Sequence, residues 1–440
     1  MDEDKKYYVG RITFTGNTTT RDKVIRREVY INEGDVFNTE LLKLSIRRIN
    51  QLGYFKPMEG VPELGPSSIG EDRIDVTFKV EEQNRNQFTF GGGVSGLEGT
   101  FINASFSTAN FLGLGETFQI SAQSGRRTKN YQIAITEPYL FDRPITAGFD
   151  IFKRKLVYET FTNVVGYTDD RSGVSFTTGL PIGRRGFNRV FANYSYQIIN
   201  IEGLNALLGI DPNAPATSTD PTQPVFDPFF FGEEGRRKES TISPSFVHNT
   251  VDNPYTPRSG KKLPQFAGGP LGGSVNYFKP DAEFIWYIPH LKKTALGIRA
   301  EAAYIKEYGN TQRLPIYQRF FLGGETQIRG VNIRTVGPVA TDPATGQSRA
   351  LGGNKFVLFN AEYYFDVGGP LRLLLFFDAG QAYSEAQKID LKQLRTSTGV
   401  ELRFIMPVLN VPFRLIYAFN PNRDSFQQKS TFKFAVGTTF

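Results

Sequence analysis

The chain has 440 residues, 39% hydrophobic and 14% aromatic, with 39 Phe and 20 Tyr against one Trp; this is length for two or three domains, too apolar in its side chains for disorder, and without the roughly 18-residue apolar run of a membrane-spanning helix. The lack of cysteine excludes disulfides, thiolate nucleophiles and Cys-ligated metal, and two histidines, His248 and His290, are too few for a His-built metal centre. The charge of +7 comes from scattered Lys and Arg, which is no footprint for nucleic acid and fits contact with anionic lipid head groups.

The opening Met1-Asp2-Glu3-Asp4 is acidic and polar rather than a signal peptide, so an exported protein would have lost its leader and further sequence with it. Residues 7–16 read as a strand and residues 20–29 as a short helix capped by Thr19 or Thr20. Asn38 or Thr39 caps a second helix, in which Leu42, Ile46, Ile49 and Leu52 form one stripe. FKPMEGVPEL and RIDVTFKVEE follow as two strands, so residues 1–85 form a small α+β domain of order β-α-α-β-β.

From about residue 87 a two-residue period takes over. Phe118, Ile120 and Ala122 alternate with Thr117, Gln119 and Ser121; later Val357, Phe359, Ala361 and Tyr363 oppose Asn360 and Glu362. The polar face is mostly Ser, Thr, Asn, Gln and Gly, which suits the lumen of an all-β transmembrane barrel whose apolar face meets lipid. Aromatic strand ends in NFLGLGE, EPYLFDRP and FIWYIPH suit interfacial girdles. At about 22 residues per strand and connection, residues 86–440 hold about 16 antiparallel strands. Short turns such as Gly125-Arg126-Arg127 are expected on the periplasmic side, and the long loops around 205–237 and 335–353 outside the cell.

Several segments, in order, resemble one family: GNTTTRDKVIRRE, LGYF, NFLGLGE, TEPYLFDRP, DNPYTPRSG at 252–260, LGGETQIRG at 322–330, FFDAG at 376–380 and the terminal FKFAVGTTF. Together they resemble the BamA-type outer-membrane protein assembly factors, in which periplasmic POTRA domains precede a 16-stranded barrel. Residues 6–83 resemble the barrel-proximal POTRA domain and residues 87–440 the barrel. The resemblance implies a bacterial outer-membrane insertase that folds and inserts β-barrel proteins, with the POTRA domain in the periplasm. It implies as partners unfolded outer-membrane protein clients, assembly-complex lipoproteins docking on POTRA domains, and the lipid bilayer with lipopolysaccharide; it implies no cofactor and no metal.

In the family the Arg-Gly pair, here Arg329-Gly330 in QIRGVNIR, marks a long loop that folds into the lumen, here around 320–353, where the Arg meets wall acids. Strand phase supports this independently: Glu362 falls opposite Phe359, Ala361 and Tyr363, and Asp378 opposite Leu373, Leu375 and Phe377. Both carboxylates point inward, ready for a bidentate pair with a guanidinium. Val331 stands where the family usually has an aromatic.

The second constellation is the seam. FKFAVGTTF places Phe432, Phe434, Val436, Thr438 and Phe440 on one face and Lys433, Ala435, Gly437 and Thr439 on the other, and resembles the β-signal of barrel proteins. It must close on QFTFGGGVSG, in which Gly91, Gly92 and Gly93 either weaken the strand or relieve crowding in a curved wall. A weak seam is a lateral gate: its opened edge templates an incoming client strand by β-augmentation. A short hydrophobic belt would also thin the bilayer, and the edge of the second POTRA strand offers a client a further site for strand addition.

DNPYTPRSG, with Asp252, Pro257, Arg258 and Gly260, reads as a structural turn. An enzyme is disfavoured, because neither His248 nor His290 has a placed nucleophile and no phosphate-cradling Gly-Lys-Ser/Thr loop is present. The rivals are a polypeptide-secretion channel of the two-partner type and a mitochondrial sorting barrel; a passive porin would lack the N-terminal domain.

Overall fold

The computed structural model describes residues 6–56, 58, 61–83, 86–159, 166–182, 188–204, 232–248, 265–267, 272–291, 293–341, 348–368, 371–406, 411–423 and 427–436. The N-terminal elements are β1 (Tyr8–Thr15), α1 (Asp22–Arg26), α2 (Thr39–Leu52), β2 (Glu63–Ser67) and β3 (Gly70–Lys79). Their sheet has the order β1-β3-β2, with β1 parallel and β2 antiparallel to the central β3. Helix α2 starts where the Asn38 side chain accepts from the backbone N–H of Glu40 (2.9 Å) and Leu41 (3.2 Å), and stops at Gly53, whose φ of 70° is the left-handed cap. Its apolar stripe delivers Leu42 and Ile49 to a core with Val9, Val76 and Phe78.

Two expectations for this domain are corrected. The helix expected over 20–29 shrinks to Asp22–Arg26, and no threonine caps it. Thr18, Thr19 and Thr20 are engaged elsewhere: the Thr18 hydroxyl (2.9 Å) and the backbone N–H groups of Thr19 (3.0 Å) and Thr20 (2.5 Å) all donate to the Glu82 carboxylate. Among the described residues of FKPMEGVPEL only Glu63 and Leu64 belong to a strand; Phe55 drops into the core instead, and Pro62 has no N–H to give a ladder.

The first compact unit comprises Met1–Phe88 together with Phe106–Ile120 and Ala134–Ala147, so it crosses the boundary expected at residue 85. Arg21 N–H donates to the Gly113 carbonyl (3.0 Å), the Tyr54 hydroxyl to the Gly115 carbonyl (3.1 Å) and the Tyr139 hydroxyl to Glu28 (2.7 Å). The Arg27 guanidinium lies 4.1 Å over the Tyr139 ring. The NFLGLGE and EPYLFDRP turns therefore hold the α+β domain as well as carrying aromatic residues at strand ends.

The remaining strands are β4 (Asn86–Ser95), β5 (Gly99–Phe111), β6 (Glu116–Gly125), β7 (Thr128–Glu137), β8 (Thr146–Tyr158), β9 (Tyr167–Ile182), β10 (Asn188–Glu202), β11 (Gly235–His248), β12 (Gln265–Ala267), β13 (Tyr277–Lys279), β14 (Asp281–Pro289), β15 (Thr294–Tyr304), β16 (Lys306–Glu307), β17 (Val339–Thr341), β18 (Ser348–Ala350), β19 (Lys355–Gly368), β20 (Leu371–Tyr383), β21 (Arg395–Met406), β22 (Val411–Asn422) and β23 (Ser430–Val436). β17 and β18 pair with each other; the others close into a barrel in which β16 is followed by β19, and β23 returns to β4. Among the described residues this ring has 18 segments, and because only Pro280 separates β13 from β14 and only Ile305 separates β15 from β16, they make 16 wall strands. The two-residue period is the cause: outward positions such as Ile151, Phe176, Trp286, Phe377 and Tyr417 are exposed hydrophobics. Inward positions carry pairs such as Asn193 Nδ2 on Thr177 Oγ1 at 2.7 Å.

Strand direction alternates around the ring, which corrects the placement of Gly125-Arg126-Arg127. This turn follows the third wall strand and lies at the same end as the β4–β5 turn, the extracellular one; Arg127 Nη1 accordingly donates to the Gly96 carbonyl at 2.9 Å. The segment 252–260, Gly437, Phe440 and most of the 205–237 loop lie outside the described residues, as does the His248 side chain.

Candidate functional site

The chain between β16 and β17 does not stay outside the barrel; residues 314–336 turn into it. Gly323 and Gly324 make the bend, at φ of 115° and 102°, and a Cβ at Gly323 would stand 2.2 Å from the Asn332 carbonyl oxygen. Leu322 and Val336 close the neck by exchanging two backbone hydrogen bonds of 3.0 Å. Leu322, Ile328, Val331 and Val336 then pack on the wall residues Ala303, Phe356, Leu358 and Ala382. Val331, in the place of the family's aromatic, is buried in this cluster.

Arg329 is the deepest polar residue of the loop, 1% exposed. Its guanidinium grips Asp378 as a fork, Nε to Oδ2 at 2.9 Å and Nη2 to Oδ1 at 2.6 Å, and its backbone N–H adds a third bond to Oδ2 at 3.0 Å. Nη1 reaches Glu362 at 2.5 Å and Glu401 at 3.1 Å. The Phe376 ring lies 3.8 Å from the guanidinium carbon. Arg329, Gly330, Glu362 and Asp378, singled out from the sequence, are thus brought together.

The structure adds residues that the sequence reading missed. Glu401 also receives Arg403 Nε (2.5 Å) and Arg414 Nε (2.6 Å) and Nη2 (2.9 Å), and Arg403 Nη2 donates to Glu362 at 2.8 Å. Tyr364 donates its hydroxyl to Glu362, and Asn360 Nδ2 bonds Asp378 at 2.9 Å and the Gln327 carbonyl at 2.7 Å. Three guanidinium groups therefore face three carboxylates. The cluster is neutral as a whole, the condition under which buried charges are tolerated.

Gly330 is required by what surrounds it. Its N–H donates to Ser397 Oγ (2.9 Å), its carbonyl accepts from Asn420 Nδ2 (2.6 Å), and a Cβ would stand 1.8 Å from Asn420 Oδ1 and 2.5 Å from Ser397 Oγ. A second anchor holds the outer part of the loop. Arg319 Nη2 meets Glu233 at 2.5 Å, the Ile316 N–H meets the same carboxylate at 3.1 Å, and Gln318 Nε2 bonds both oxygens of Glu239 at 3.2 and 3.1 Å.

At the seam, Phe432 and Phe434 lie exposed on one face of β23, while Lys433 on the other donates to the Val331 carbonyl at 2.6 Å. Among the described residues β23 meets β4 at one register pair, Val436 with Val94. Gly93 lies at this point: a Cβ there would stand 2.5 Å from the Phe101 ring and 2.9 Å from the Val436 carbonyl oxygen, and one at Gly92 would stand 2.8 Å from the Phe101 carbonyl oxygen. Gly91 has the Asn103 side chain 3.1 Å from the same construction. His290 sits exposed at a strand end, with Nδ1 2.6 Å from the Tyr363 hydroxyl.

Comparison with known proteins agrees with this architecture. The family model described as Omp85 superfamily domain matches residues 110–440, and the POTRA model, surface antigen variable number repeat, matches residues 7–83. The outer membrane protein assembly factor BamA of Nitratidesulfovibrio vulgaris is 28% identical over 99% of this chain and 52% of its own length. That of Neisseria meningitidis serogroup B is 24% identical over 100% of this chain and 57% of its own. This chain thus spans about half the length of these curated relatives. The crystal structure of BamA from Haemophilus ducreyi lacking POTRA domains 1–3 superposes with a TM-score of 0.78 at 21% identity, covering 98% of this chain and 84% of that one. The chain therefore belongs to the Omp85 superfamily, as an outer-membrane barrel of the BamA type that carries a POTRA domain.

Proposed function

We propose that this protein folds and inserts β-barrel proteins into the outer membrane, and that the seam between β4 and β23 opens sideways as the gate through which they enter. The observation that carries this reading is the glycine run at the closure of the wall: β23 returns to β4 at Val436 and Val94, and beside that pair Gly91, Gly92 and Gly93 of β4 bring no side chain to the seam. Each unpaired backbone group costs several kcal/mol in hydrocarbon, so an opened seam demands a new strand, and an unfolded client supplies one by β-augmentation. The glycines at 91–93 have a packing role at Gly92 and Gly93, and at these three positions β4 brings no side chain to cross-strand packing. β4 is ten residues long against sixteen in β9, which favours a thinner hydrophobic belt beside the gate.

The partners follow from the same reading. Clients dock by strand addition on the edge of β2, the outer strand in the order β1-β3-β2 among the described residues. Assembly-complex lipoproteins bind the POTRA domains, and the barrel contacts the bilayer and lipopolysaccharide. No covalent step is involved, so the driving force is the folding energy of the client.

The test is the folding rate of a small unfolded barrel protein into liposomes with and without this protein embedded, beside a variant carrying Val94→Cys and Val436→Cys. Acceleration that oxidation of the pair abolishes and reduction restores is the expected result. Acceleration that survives oxidation removes the lateral gate and leaves bilayer thinning as the mechanism.

A further inference from the structure

The inward loop touches both sides of the seam. Immediately after β4, the Gly96 N–H donates to Glu325 Oε1 at 2.8 Å, and the glycine admits the carboxylate, since a Cβ there would stand 3.0 Å from Oε2. From β23, Lys433 Nζ donates to the Val331 carbonyl at 2.6 Å and Thr431 Oγ1 to the Gly330 carbonyl at 3.4 Å. The Glu325 carbonyl in turn accepts from Arg414 Nη2 at 3.0 Å, which joins this residue to the charge cluster around Arg329. A cavity of about 500 Å³ lies at this level, lined by Val94 and Gly96 from the β4 side, Lys433 from β23, Glu325 from the loop, and Arg126 and Arg127 from the turn after β6.

We infer that Glu325 and Lys433 are positioning residues that clasp β4 and β23 to the inward loop, so that the seating of the loop in the lumen governs whether the seam is shut. This deepens the gate reading and rests on it. Each side of the clasp carries a charged partner, the Glu325 carboxylate on the β4 side and the Lys433 ammonium on the β23 side, the stronger kind of hydrogen bond. Lys433 and Glu325 carry opposite charges and line the same cavity, to which Arg126 and Arg127 also belong. When a client strand displaces β23, Lys433 leaves Val331; the loop then keeps its hold on β4 through Glu325 and on the wall through Arg329. The clasp thus opens on the β23 side.

The chain contains no cysteine, so a Val94→Cys and Val436→Cys pair reports seam closure without background. With the protein embedded in liposomes, disulfide formation under a mild oxidant should slow about tenfold in Glu325→Ala and in Lys433→Met, the scale of one lost charged hydrogen bond. It should stay near the parent rate in Glu325→Gln, which keeps an oxygen to accept the Gly96 N–H. Compact migration on unheated gels establishes that each variant is folded, and Lys433→Met alone decides the matter if Glu325→Ala is not. Parent rates in both Ala and Met variants would overturn the clasp. Client insertion by the oxidised parent pair is read separately: insertion that survives the disulfide defeats the gate, whereas the crosslinking rates still judge the clasp.

Discussion

On the wall formed by β19 to β22 the inward loop meets three carboxylates, the Arg414 guanidinium, the amides of Asn360 and Asn420 and the Ser397 hydroxyl, all buried. At β4 and β23 it meets one backbone N–H, one ammonium and one hydroxyl beside a cavity. The same loop is thus fixed on one side and lightly held on the other. Such a division suits a barrel that opens at one place, because the fixed side keeps the lumen filled while the seam strands part. Charge balance explains how the fixed side can be so polar, since three cations and three anions leave nothing uncompensated.

The comparison can be broken most strongly at Arg329. Arg329→Ala leaves Glu362, Asp378 and Glu401 facing only Arg403 and Arg414, and loss of one partner from a buried ionic cluster costs about 3–5 kcal/mol. The expected result is a lowered denaturation midpoint on unheated gels and new trypsin cleavage within 314–336; parent-like behaviour would contradict the pinning. Arg329→Lys keeps the charge and loses the fork, for an intermediate cost of about 1.5–3 kcal/mol by the same midpoint.

Gly330→Ala should cost about 1–3 kcal/mol, because its Cβ collides with Asn420 and Ser397, both held by their own hydrogen bonds. At the seam the effect is smaller. Gly93→Ala meets a rotatable Phe101 ring but also the Val436 carbonyl, so it should weaken seam pairing by about 1 kcal/mol, seen as slower crosslinking of the Val94 and Val436 cysteine pair.

The smallest effect lies in the POTRA domain. Burial pushes the Glu82 carboxyl up, but hydrogen bonds from Thr20, Thr18 and Thr19 outweigh it and hold the group down at about 2, against an ordinary 4.5. A depressed carboxyl contributes stability that is whole above pH 4.5 and fades as pH falls toward 2. Thermal melts across that window should show an acid-dependent loss that Glu82→Gln reduces.

Much of this was legible because a two-residue period fixes the face of every strand residue. It placed Glu362 and Asp378 in the lumen, while the length of the β region, at about 22 residues per strand and connection, put the wall at about 16 strands. The same phase test on GVELRF and FRLIYAFN would have turned Glu401, Arg403, Arg414 and Asn420 inward as well. That they meet around one guanidinium was not legible, since it depends on register across four strands and on the depth of a loop with no period. Glu233 and Glu239 escaped for the same reason, as their partners Arg319 and Gln318 lie about 80 residues away. In the α+β domain, Thr19 and Thr20 carried a cap signal, but Glu82, more than 60 residues on, claims their N–H groups. The side of the Gly125-Arg126-Arg127 turn follows from the parity of strand order, which turn length does not reveal.

The contrast between the two sides is tested most directly by hydrogen exchange of the protein embedded in liposomes. Amides of β20 and β21 should exchange orders of magnitude more slowly than Val94 and the Phe432 to Val436 segment of β23. Equal protection of the seam and of the Arg329 wall would contradict the account.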